Sequence, residues 1–206
     1  VISAKDLQRI DEFWNWFSAN LPTIEHIRAG DHPSFDRIEK LLSRICEGMN
    51  FEISGTENDQ TLVISADGIR DRIPFVIATV DRAPRIPGWK VFAFRQRNDA
   101  GFDLMFNGIR IGSTEVLFNL VPTRPRMKIV AYLPVRIDAN DKNALWVVFL
   151  VLDQLIGEYD VMTKVGDIEV RSVPGRAENC DFLSSRQFVR EFDRIWQTYT
   201  SESGVN

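Results

Sequence analysis

The sequence predicts an α+β fold: a mainly antiparallel sheet built from two β-β-α-β units, with an N-terminal helical hairpin and a C-terminal helix. Three observations predict it. Short β-type runs come in pairs, "NFEISG" with "TLVISA" and "EVLFNLV" with "MKIVAYL". Each pair is followed by an apolar helical segment and one further strand. Segments with apolar residues at helical spacing stand at both ends of the chain. At 206 residues, 44% of them hydrophobic, the chain can bury a core as a single α+β domain over 1–206. The first β-β-α-β unit is expected over 50–97 and the second over 115–173. They lack residue-level identity, so the repeat is one of topology. Two such units could share one continuous sheet.

Ser3 followed by Asp6 marks a helix start, because a side-chain oxygen can take free N–H groups there and an acid favours the positive helix end. Leu7, Ile10, Trp14 and Phe17 recur at helical spacing, and Pro22 stops the helix near Asn20. "FWNWF" (Phe13 to Phe17) reads as a wide apolar stripe packed on the sheet. After a short piece around Ile24 to Arg28, Ser34 can start a second helix with Phe35, Ile38, Leu41, Leu42 and Ile45 on its apolar face. Gly48 can end it.

Asn58-Asp59 suits the turn of the first hairpin. Asp67-Gly68 ends its second strand, and Pro74 fits the first turn of a helix carrying Phe75, Val76, Ile77 and Val80. "WKVFAF" is apolar on both faces and predicts a central strand. Asn107-Gly108 between "FDLMF" and "IRIG" is the strongest short-range hairpin signal in the chain. Asn140 or Asp141 can cap a helix running to about Ile156, and "DIEVRSV" closes the second unit. Ser184 with Gln187 forms a capping box for the last helix, whose apolar face holds Phe188, Phe192, Ile195 and Tyr199. "SESGVN" reads as a frayed tail.

Composition narrows function. A net charge of −4 argues against a dedicated nucleic-acid binder. Cys46 and Cys180 stand in no metal or redox spacing and read as reduced thiols. No signal-peptide pattern shows, and the longest apolar run, Ala144 to Leu152, falls short of the roughly 20 residues that cross a bilayer. A cytoplasmic protein is expected. No glycine-rich phosphate loop, nucleophile elbow or zinc-protease motif occurs, and His26 and His32 read as solvated loop residues. No metal and no cofactor is expected.

Two candidate sites remain. In "LVLDQLIGEYDVM", Asp153 interrupts an apolar helix, while Glu158 and Asp160 follow its C-terminal end, where anions are disfavoured. The three carboxylates could bind a hard cation or act as acid and base; otherwise they mark a helix ending. The basic stretch Arg70 to Arg97 offers Arg82, Lys90, Arg95 and Arg97 as an anion or RNA surface, with Trp89, Phe92 and Phe94 as stacking residues. The alternation places those aromatics in the core instead. The basic stretches and the acidic segment Asp138 to Glu169 could also pair with one another.

The pieces "FWNWF", "LVISADG", "APRIPGWKVFAFRQR" and "LDQLIGEYDVMTKVGDIEV" together resemble a family of uncharacterised bacterial proteins of similar length, a domain of unknown function. The resemblance runs from Phe13 to about Val170. It implies a bacterial, intracellular origin and brings no catalytic residue with it. The leading expectation is a non-enzymatic protein that binds a protein partner, in a regulatory or immunity-type role. A second copy of the chain is the other candidate occupant, and a carboxylate enzyme the rival reading.

Overall fold

A computed structural model describes residues 2–24, 33–56, 59–98, 101–174 and 182–202. The chain is α+β and divides into two compact units, Val1–Arg95 and Gln96–Asn206.

In the first unit, α1 (Ala4–Ala19) opens with the expected capping box. The Ser3 hydroxyl accepts from the Asp6 N–H at 3.2 Å, and the Asp6 carboxylate accepts from the Ser3 N–H at 3.0 Å. Ile10, Phe13, Trp14 and Phe17 are buried, so "FWNWF" faces inward as read. The Trp14 indole donates to the Thr79 carbonyl at 2.8 Å, and Phe17 meets Trp89 edge-on at 5.2 Å. A single turn, α2 (Leu21–Ile24), follows, and α3 (Pro33–Ile45) buries Ile38, Leu41, Leu42 and Ile45. His26, His32, Asn58 and Cys180 lie outside the described residues.

Strands β1 (Asn50–Thr56) and β2 (Asp59–Ser65) pair antiparallel. Asp67 and Gly68 both adopt positive φ, which ends β2 as expected. Pro74 sits in the first turn of α4 (Ile73–Asp81), after which β3 (Trp89–Ala93) returns parallel to β2. The order is β1-β2-β3, so β2 is central and β3 is an edge strand. The apolar second face of "WKVFAF" has a different cause from the one expected. Phe92 is exposed, and the alternation breaks at Phe94, which takes a φ of 66° and is buried.

In the second unit, β4 (Asp103–Phe106) and β5 (Ile109–Gly112) form the predicted hairpin. Asn107 and Gly108 at φ 46° and 83° give the turn whose twist matches the strands. β6 (Leu117–Thr123) pairs antiparallel with β7 (Arg126–Leu133). Helix α5 (Ala144–Ile156) begins later than Asn140 or Asp141. Asp138 accepts from the Asn140 N–H and Asp141 from the Asn143 N–H, so both aspartates close local turns instead. After α6 (Glu158–Lys164), β8 (Val165–Ser172) lies parallel to β7. Helix α7 (Ser185–Glu202) follows Ser184, whose N–H and hydroxyl both donate to the Gln187 side chain.

The β-β-α-β order therefore occurs twice, once in each unit, as two separate three-stranded sheets rather than one shared sheet. Both hairpin ladders hold seven pairs, closing at Thr56↔Asp59 and Thr123↔Arg126. In both units the parallel pairing starts at the second residue of the central strand, Gln60↔Trp89 and Met127↔Val165.

The second core gathers β6, β7, α5 and α7 around Phe118, which stacks on Phe188 at 4.3 Å. Phe118→Ala should lower the unfolding free energy by about 3–5 kcal/mol in urea titration. Met105→Ala, on an exposed side chain, should change it by less than about 0.5 kcal/mol.

Candidate functional site

Helix α5 carries no charged residue before Asp153. It ends at Gly157, whose φ of 85° suits glycine and whose N–H donates to the Asp153 carbonyl at 2.9 Å. The chain does not leave the helical layer there. Val161 N–H donates to the Gly157 carbonyl at 3.0 Å, and α6 begins at once. Glu158 and Asp160 thus occupy the first turn of a new helix, where free N–H groups favour anions. The disfavoured position expected from the sequence becomes a favourable one, because the sequence reading had no α6.

The three acidic candidates have different surroundings. Asp153 is 5% exposed and Glu158 0%. Asp160 accepts from Arg97 at 2.8 Å and from Lys164, one turn on, at 2.7 Å. Arg97 joins several groups. Its Nε donates to the Ile156 carbonyl at 2.8 Å, and its terminal nitrogens hold both oxygens of Asp193 at 2.9 Å. The next residue, Asn98, donates its N–H to the Gln154 carbonyl at 2.7 Å. Two carbonyls in the last turn of α5 thus find donors on one passing segment. The Asp193 hydrogen bonds raise the Arg97 pKa above its ordinary value; burial opposes this and Asp160 adds to it. One acidic and one basic candidate therefore meet, in a network that fastens the end of α5 to α6 and α7.

Arg82 forms a two-pronged pair with Asp11 at 2.8 and 2.7 Å. Lys90 bonds Asp59 at 2.7 Å. Arg95, 8% exposed, bonds Glu52 at 2.5 Å and reaches Asp67 at 3.4 Å. Each of the four cations is thus held by its own carboxylate. Trp89 and Phe94 are buried, so neither offers a face on which a base could stack. Among the described residues, no three His, Cys, Asp or Glu side chains are grouped to hold a metal ion. Cys46 is a free, half-buried thiol whose pKa burial pushes up. Among the same residues, no helix is long and apolar enough to cross a membrane.

One feature escaped the sequence reading, which took α5 wholly as core. Leu145 is 43% and Trp146 54% exposed, with Phe149 partly buried 6.3 Å from Trp146. The signal was there: a helix apolar on every side, as in "ALWVVFLVL", needs a cover on every side. Lys164 and Asp193, both essential to the Arg97 network, also went unmarked.

Comparison with protein-family models, with curated proteins and with solved structures gave no match.

Two measurements check this geometry. A double-mutant cycle on Arg97→Met and Asp193→Asn should give a coupling of about 1–3 kcal/mol. The same cycle on the exposed Arg82–Asp11 pair should give under about 1 kcal/mol. Mg²⁺, Ca²⁺, Mn²⁺ and Zn²⁺ should leave the thermal midpoint unchanged. A rise with one of them, lost in both Asp153→Asn and Glu158→Gln, would make the acidic residues a metal site.

Proposed function

We propose that this is a non-enzymatic cytoplasmic protein that acts by binding another protein, in a regulatory or immunity-type role. The proposed contact surface is the N-terminal half of α5. What supports the reading is the exposed Trp146 beside Leu145. A tryptophan and a leucine exposed at the start of a helix cost free energy in water and gain it in a partner's groove. Tryptophan is also among the residues that dominate binding energy at interfaces. Exposed Asp141 and Lys142 just before the helix would supply a polar rim. The resemblance in the sequence supports a bacterial, intracellular setting for such a partner.

The test uses tagged full-length chain, wild type and the double variant Leu145→Lys/Trp146→Lys, in lysate of the source organism and in light scattering. Wild type should be monomeric and retain a defined protein. The variant should unfold at the same midpoint and lose that protein, a loss of at least about tenfold in affinity when both are purified. Capture that survives in the variant would move the surface elsewhere. A wild-type dimer that the variant breaks would make a second copy the occupant and overturn the reading.

A further inference from the structure

The first unit carries a pocket of about 370 Å³ between α1 and the chain that leaves α4, lined by Asp11, Trp14, Asn15, Ser18, Arg82 and Pro84. The first four recur at helical spacing, so one side of α1 supplies them together. Two links hold the walls in place. The Trp14 indole donates to the Thr79 carbonyl of α4 at 2.8 Å, and Arg82, at the end of α4, grips both oxygens of Asp11 at 2.8 and 2.7 Å. Trp14 and Pro84 give the pocket its apolar contact surface, and the rest of the lining is polar. A site fixed in this way needs little rearrangement to receive a ligand.

The polar groups are of mixed kind and sum to no charge. Arg82 and Asp11 cancel, and the next charges along the chain, Asp81 and Arg85, cancel as well. The ion pair stays accessible, with Arg82 41% and Asp11 48% exposed. Arg82 uses Nε and one terminal nitrogen on Asp11, so among the described residues its other terminal nitrogen keeps its N–H donors. Each Asp11 oxygen takes an N–H and keeps a lone pair for another donor. The Asn15 amide and the Ser18 hydroxyl, both exposed, make no side-chain hydrogen bond among the described residues. Donors, acceptors and groups that do both thus line one space. A hydroxyl group also donates and accepts, and several of them on one carbon ring match such a lining without disturbing the ion pair. An anion would meet Asp11 and a cation would meet Arg82, and either would compete with a charge pair already made.

We propose that this pocket binds a small neutral polyol of the monosaccharide kind, with its hydroxyls on Asp11, Arg82, Asn15 and Ser18 and its ring C–H groups on Trp14 and Pro84. The inference rests on the first unit alone and is independent of the α5 surface. Calorimetry on the full chain tests it with glucose and galactose, and with the uronate and the amino sugar of each. At least one neutral sugar should bind saturably at millimolar concentration, and neither of its charged counterparts should bind more tightly. Alanine suits the two exposed helical positions, so Asn15→Ala/Ser18→Ala should unfold at the wild-type midpoint while that binding weakens at least about tenfold. Ser43→Ala, at an exposed position of α3, should leave the binding unchanged. Three results would each overturn the proposal: no saturable binding of either neutral sugar, tighter binding of a charged counterpart, or equal binding by the double variant and Ser43→Ala.

Discussion

The last carbonyls of α5 need donors, and the network that supplies them ties α5 to α6 and α7. An apolar helix that ends inside a core strands polar groups where water cannot reach. Gly157 meets one carbonyl, Asn98 and Arg97 meet two more. Arg97 then brings a charge that has to be neutralised, and Asp160 and Asp193 do so. Those two carboxylates lie on α6 and α7, so satisfying one helix end fixes the neighbours of that helix as well. With α6 held there, β8 can start at Val165 and run back beside β7.

Two arginines flank Gln96, and each is committed to its own unit. Arg95 is tied to Glu52 and Asp67 in the first, Arg97 to Asp160 and Asp193 in the second. Both units solve the same folding problem in the same way. A tight hairpin sets the register of two strands, and a helical crossover delivers a third strand parallel to the second. That solution asks only for apolar side chains two apart on the core side of the central strand. Leu62 and Ile64 serve in one unit, Ile129 and Ala131 in the other, all fully buried. A common topology with little common sequence follows from so permissive a demand.

Local signals were legible and distant ones were not. Ser3 with Asp6, Asn107-Gly108, Gly157 and Ser184 with Gln187 act within a turn of themselves, so the sequence states their effect directly. The position of a strand in its sheet depends on which neighbours arrive, and the apolar content of "WKVFAF" did not separate edge from centre. The candidate site failed in the same manner. The sequence could not name the arginine that meets Asp160, because Arg97 lies 63 positions away in the chain. Charge segregated along the sequence is matched in space. Arg97 and Lys128 of the basic stretches pair with Asp160, Asp167 and Glu169 of the acidic segment, while Arg82 and Lys90 find Asp11 and Asp59 outside it.

Once those charges are matched, the exposed apolar part of α5 stands apart, because folding does not account for it. The positions that α5 gives to the core are Ala144, Val147, Val148, Val151, Leu152, Leu155 and Ile156. Leu145 and Trp146 are not among them, and lysine at either place would keep the helix and could turn its charge to water. The fold therefore has no need of apolar side chains there, whereas a groove on a partner would. That separation makes the proposed surface experimentally tractable: changes at 145 and 146 leave the core untouched, while changes at 147 or 148 would disturb it.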